Sequence, residues 1–119
     1  MRDFKQLRVW QKAHHLVLEI YRQTQGFPPD QRFVLTAHIL RSAISVPSNI
    51  AEGCGREGNK EFARFLSIAA GSASETEYQL LLARDLGYLD PQAHQDLDDR
   101  LNEVKRMLNA FVQRLDQTK

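Results

Sequence analysis

Apolar residues recur at spacings of three and four along four successive stretches of this chain, and nowhere do they alternate with period two. That pattern selects helices over strands. A helix with one apolar face needs a second helix to cover it. Four such faces joined by short breaks predict an all-α fold, an antiparallel up-down-up-down four-helix bundle. The first stretch runs from about Gln6 to Gln25, with Trp10, Ala13, Val17, Ile20, Tyr21 and Thr24 on one face. Asp3 and Gln6 have the spacing of a capping box ahead of it. Gly26-Phe27-Pro28-Pro29 then breaks the helix, because glycine and two prolines do not continue it.

The second stretch opens at Asp30, a good N-cap. Phe33, Ala37, Leu40, Ile44, Pro47 and Ala51 follow at alternating spacings of four and three, the spacing of a heptad seam. Pro47 lies inside that seam and removes one backbone hydrogen bond, so a kink or a helix end is expected there. Periodicity continuing through Ile50 and Ala51 favours the kink. After Gly53-Cys54-Gly55-Arg56-Glu57-Gly58, with Asn59 as the cap, a third helix passes through Phe62, Leu66, Ala69, Ala73, Thr76, Leu80 and Ala83 to Leu86. Gly87 ends it in the C′ position. Asp90-Pro91 starts the fourth helix with a cap and a first-turn proline. Its seam is His94, Leu97, Leu101, Val104, Leu108, Phe111 and Leu115.

Residues 1–119 suffice for a single domain with a core of its own. Apolar residues at 42% and charged residues at 26% belong to a globular chain. One cysteine, Cys54, forms no intramolecular disulfide and suits a reducing compartment. The opening MRDFKQLRVWQK lacks a leader's apolar stretch, and no run reaches the roughly 18 apolar residues of a membrane span. A cytoplasmic protein with no membrane contact is expected. The net charge of +1 is unevenly spread: residues 1–64 carry ten Lys/Arg against six Asp/Glu, and residues 65–119 six against nine.

Gly53-x-Gly55-x-x-Gly58 spells a dinucleotide-binding fingerprint, but that motif works only between a strand and a helix N-terminus. With a helix ahead of it, the segment reads as a turn, and neither a cofactor nor a small-molecule substrate is expected. Arg56, Lys60 and Arg64 stand four apart beside the positive end of the third helix, a row suited to phosphates of RNA or DNA. Glu57 and Glu61 interleave with that row. Arg2, Lys5, Arg8 and Lys12 are the other basic residues early in the chain. The neighbours His14 and His15 point about 100° apart and cannot share an ion. His94 and Asp98 lie one turn apart without a third ligand, so no metal is expected and His94 reads as a core or rim histidine. Cys54 has no activating base near it in sequence and reads as an ordinary thiol. No catalytic residue is assigned, and no enzymatic activity is expected.

In the third helix, Gly71-Ser72-Ala73-Ser74 places small residues at mid-length, where glycine costs about 1 kcal/mol against alanine. Ile68, Gly71, Tyr78 and Leu82 fall in the sector facing away from Ala73, together with Arg64 and Glu75. A helix apolar on both faces is covered on both faces, so this sector is the expected interface of a homo-oligomer. Scattered surface apolars, which are normal, are the alternative.

Three strings carry a resemblance. Leu7-x-Val9-Trp10-Gln11-Lys12-Ala13, Arg41-Ser42-Ala43-x-Ser45-Val46-Pro47-Ser48-Asn49-Ile50-Ala51-Glu52-Gly53 and Phe65-Leu66-x-Ile68-Ala69-x-Gly71-Ser72 resemble the signature stretches of a group of bacterial four-helix-bundle proteins. The group is named for reading frames in intervening sequences of 23S ribosomal RNA genes. It is similar to the accessory variability determinant of diversity-generating retroelements, a barrel-like homopentamer that binds nucleic acid and a reverse transcriptase. The resemblance implies the bundle fold and a pentamer, and supplies no catalytic residue. It also implies that Arg41, Asn49 and Glu52 bond the carbonyls freed at a kinked helix, or a neighbouring chain. This chain departs from that basic relative in being nearly neutral. Two functional classes follow: an oligomeric nucleic-acid-associated accessory protein, or a protein-interaction scaffold without nucleic-acid contact.

Overall fold

The computed structural model of the chain describes residues 2–117. Four helices, α1 (Arg8–Thr24), α2 (Leu35–Cys54), α3 (Asn59–Asp85) and α4 (Pro91–Gln117), run up, down, up and down, and the described residues contain no strand. Short 3-10 turns at Phe4–Gln6 and Pro29–Gln31 precede α1 and α2. Each helix packs beside its two neighbours in the cyclic order α1, α2, α3, α4, and the backbones of the diagonal pairs lie further apart. The result is a bundle 47 Å long and about 20 Å across.

Local chemistry sets the helix ends. The Asp90 carboxylate accepts from the backbone N–H groups of Gln92 and Ala93 at 3.1 and 3.3 Å, capping α4 ahead of Pro91 as the sequence predicts. Beyond α3, Gly87 adopts a φ of +81°, a left-handed conformation natural to glycine. Tyr88 N–H then reaches the Ala83 carbonyl and Gly87 N–H the Arg84 carbonyl, the two bonds of a Schellman turn. Three expected starts move. Asp3 caps the Phe4–Gln6 turn by accepting from Lys5 N–H at 3.0 Å, and Leu7, with no side-chain bond, stands ahead of α1. Asp30 belongs to the Pro29–Gln31 turn, and α2 begins only after Val34. Gly58, at φ +80°, takes the position ahead of α3, and Asn59 is already helical.

The seams expected on α3 and α4 are the buried ones, apart from Phe111, which is half-buried against the core. On α1, Val9, Ala13, Leu16, Val17, Ile20 and Thr24 are buried, while Trp10 and Tyr21 sit at the edge of that face. The α2 expectation is corrected. Leu35, Ile39, Ala43, Val46, Ile50 and Cys54 face the core, and Phe33 is 83% exposed. The predicted stripe is centred roughly 120° around the helix from the buried one, and of its six residues only Pro47 is buried. α2 is apolar on two adjacent sides, so its spacing alone does not say which side meets the bundle. The helix passes through Pro47 without ending.

The α2–α3 contact is partly polar. Ser42 donates to Gln79 Oε1 at 2.6 Å and accepts from Thr76 Oγ1 at 2.8 Å, all three residues being buried. One turn away the hydroxyls of Ser45 and Ser72 share a 2.8 Å hydrogen bond. Asn49 Nδ2 donates to the Ser45 carbonyl and hydroxyl, and not to the Ala43 carbonyl that Pro47 frees.

Candidate nucleic-acid interface and self-association face

Folding the chain up and down sorts its charge. The lower halves of the four helices with their connections, residues 2–15, 45–72 and 104–117, hold ten Lys/Arg against five Asp/Glu. The upper halves, residues 16–44 and 73–103, hold five against ten. The expected row of Arg56, Lys60 and Arg64 lies at the basic end, with all three residues exposed.

Two of the three converge on one aromatic ring. The guanidinium carbons of Arg56 and Arg64 lie 5.2 and 4.5 Å from the centroid of Phe65, within cation–π range. Both also have carboxylate partners. Arg56 donates to Glu52 at 2.6 Å, and Arg64 grips Glu61 through two bonds of 3.0 and 3.2 Å. Arg64's hydrogen bond holds the Glu61 carboxyl below the usual carboxylate range, and Arg64 is raised in turn. Lys60 has no ion pair among the described residues.

Sequence reasoning missed how aromatic rings organise the rest of this end. Arg2 lies 4.4 Å above Phe62, Phe62 meets Phe111 edge-on at 5.2 Å, and Arg114 lies 5.0 Å from Phe111. Arg8 and Arg114 flank a shallow cavity of about 320 Å³ floored by Leu7, Met107 and Phe111. Alternating arginines and aromatics in the sequence could have hinted at this, but only the fold brings residues 2, 62 and 111 together. Lys12 is drawn away by Glu103 at 3.0 Å.

Residues 55–58 form a turn between two helices, not the strand-to-helix junction a dinucleotide needs. Gly53 belongs to the last turn of α2. Cys54 is buried, and burial pushes its thiol pKa up against the opposing pull of Arg2, so it is a poor nucleophile. His94 is a core residue whose Nε2 finds no partner. His14 stacks on Trp10 at 5.0 Å. Among the described residues no group of three or more His, Cys, Asp or Glu could hold a metal, and no helix is long and apolar enough to cross a membrane.

On the outer side of α3, Ile68 and Tyr78 are 40% and 61% exposed, and the space above Gly71 is open. Leu82 departs from expectation. It is half-buried and packs against the core. A second apolar surface, absent from the expected interface, runs along α1 and α2. Tyr21, Phe33, Ala37 and Leu40 line its upper part, a groove of about 670 Å³. Phe4, Trp10, Ile44 and Pro47 line its lower part. The displaced α2 stripe was its signal in the sequence.

These features belong to an antiparallel four-helix bundle with one arginine-rich, aromatic-studded end and exposed apolar residues on two sides. The chain belongs to the 23S rRNA-intervening sequence protein family, whose model matches residues 5–110. It is also similar to a crystal structure from Bacteroides thetaiotaomicron, described as a protein of unknown function from the S23 ribosomal protein family. Identity is 27% over 87% of this chain and 97% of that one, with a TM-score of 0.81. No curated protein matches the chain.

Proposed function

We propose that this protein is a non-catalytic bundle that assembles with copies of itself and offers its basic end to the phosphates of RNA or DNA. The segregation of charge carries the reading: ten basic residues against five acidic ones at one end of a nearly neutral chain. Arg2, Lys5, Arg8, Lys60, Arg106 and Arg114 at that end have no ion pair among the described residues. Such a surface attracts polyanions whatever the net charge. Phe65 and Phe111 brace the guanidinium groups there. The absence of a catalytic role is supported by how the polar groups are spent, the buried ones on helix–helix hydrogen bonds and many exposed ones on ion pairs. Five copies is the number we propose, the one that a likeness to the retroelement determinant would imply.

One observation favours a scaffold that touches no nucleic acid. Glu52 and Glu61 already occupy Arg56 and Arg64. Exposed ion pairs are weak and screened by salt, so a phosphate can displace either carboxylate. Fluorescence anisotropy with labelled RNA and DNA over a range of salt separates the readings. Binding should weaken with salt, each phosphate contact adding about 0.9 to the log–log slope on duplex DNA. Replacing Arg56, Lys60 and Arg64 by glutamine should weaken binding equally across sequences and flatten the slope. An unchanged slope moves the contact to Arg2, Arg8 and Arg114, and no binding at low salt leaves the scaffold.

A further inference from the structure

We infer that the cavity between the start of α1 and the end of α4 takes an unpaired nucleobase, with the phosphates beside it held by Arg8 and Arg114. This rests on the nucleic-acid reading above and names the form of nucleic acid, a single strand in preference to a duplex. Met107, Ala110, Phe111 and Arg114 recur at spacings of three and four, so they share one face of the last turns of α4. Leu7 and Arg8 close the opposite side at the start of α1. At about 320 Å³ the space lies at the small end of ligand sites, which run from ~300 to ~1,000 Å³.

Two chemistries meet in this cavity, and an anion with a flat apolar body satisfies both. Arg8 and Arg114 are exposed and have no ion pair among the described residues, and none of the residues lining the cavity is acidic. Leu7, Met107 and Phe111 beneath them are half-buried and apolar. A phosphate alone leaves that floor uncovered, and a hydrocarbon alone leaves two cations unused. The Arg114 guanidinium carbon lies 5.0 Å from the Phe111 centroid, and Phe62 holds the same ring edge-on at 5.2 Å. Unstacked bases settle on aromatic rings and on guanidinium planes alike. The bases of a duplex are paired inward, so a duplex brings this cavity only its phosphates and sugars. A single strand can turn a base into it. The lining has no amide, hydroxyl or carboxylate side chain to read a base edge, so the site tolerates any sequence.

The test uses the full chain, labelled oligonucleotides of equal length in single-stranded and duplex form, and the variant Ala110→Leu. Ala110 lines the cavity and is exposed, and leucine suits a helix, so the variant fills the space without changing charge or circular dichroism. Charge alone favours the duplex, whose phosphates are the more closely spaced. The parent should nonetheless bind the single strand more tightly. Ala110→Leu should lower single-strand affinity about tenfold, the scale of one lost stacking contact, and leave duplex affinity and its salt slope unchanged. Irradiating a strand that carries 5-iodouracil should cross-link the parent within the peptide from Met107 to Phe111. No binding of either form at low salt overturns the nucleic-acid reading, and this inference with it. A parent that prefers the duplex, or a variant that binds both forms as the parent does, overturns the base site and leaves the phosphate reading standing. Adenosine monophosphate that displaces the strand at micromolar concentration makes the ligand a free nucleotide and overturns the strand.

Discussion

A methyl group on Gly53 would stand 2.9 Å from Phe65 Cβ and 3.0 Å from the Phe62 ring. The backbone of α2 therefore meets α3 at a distance no other residue allows. Gly53→Ala should lower stability by about 1–3 kcal/mol as the helices part, although alanine is the better helix former. Urea unfolding of the variant measures this, and an unchanged midpoint would mean the aromatic pair yields freely. The sequence showed the glycine but not its reason, because Phe62 and Phe65 become its neighbours only when α3 turns back. The same blindness hid Arg2, whose place over Phe62 depends on contacts remote in sequence. His94 was legible, since a histidine in register with six apolar residues belongs to the core. Its unpartnered Nε2 was not, because periodicity says nothing of hydrogen-bond supply.

Among the elements, α3 and α4 were read almost residue for residue, because each has one continuous seam and ends on Gly87 or starts on Asp90-Pro91. The face of α2 was misjudged because two apolar stripes compete there, and the more regular one lies at the bundle's edge, with Phe33 and Ile44 exposed and Pro47 buried. The polar seam between α2 and α3 was also invisible: serine and threonine count as surface residues in any hydrophobic pattern. Their burial makes them consequential. Ser42→Ala removes the donor to Gln79 Oε1 and the acceptor for Thr76 Oγ1 in a buried place. An unsatisfied buried polar group costs about 1–3 kcal/mol, so this loss of one oxygen should match the loss of a core methylene or more. Chemical denaturation checks the size. Adding Gln79→Leu to Ser42→Ala should cost less than the sum of the two single changes, because the orphaned acceptor goes with it.

Across the whole molecule, the sequence disclosed a basic first half and an acidic second half, yet neither half is an end of the bundle. Antiparallel winding interleaves them, and the ends differ more sharply than the halves because each gathers pieces of all four helices. Polarity of this kind also bears on how the purified protein behaves at a bench. The isoelectric point is about 7.9, so near pH 8 no overall repulsion keeps the molecules apart. Opposite ends of a 47 Å body then attract one another. At about 10 mM salt that attraction reaches ~30 Å, and at about 0.15 M only ~8 Å. Solutions should turn cloudy on dialysis into dilute buffer and clear again when salt is restored, a salting-in that light transmission at pH 8 would record. Sodium chloride, usually feared as a competitor for nucleic-acid binding, would then be what keeps this protein dispersed enough to bind anything.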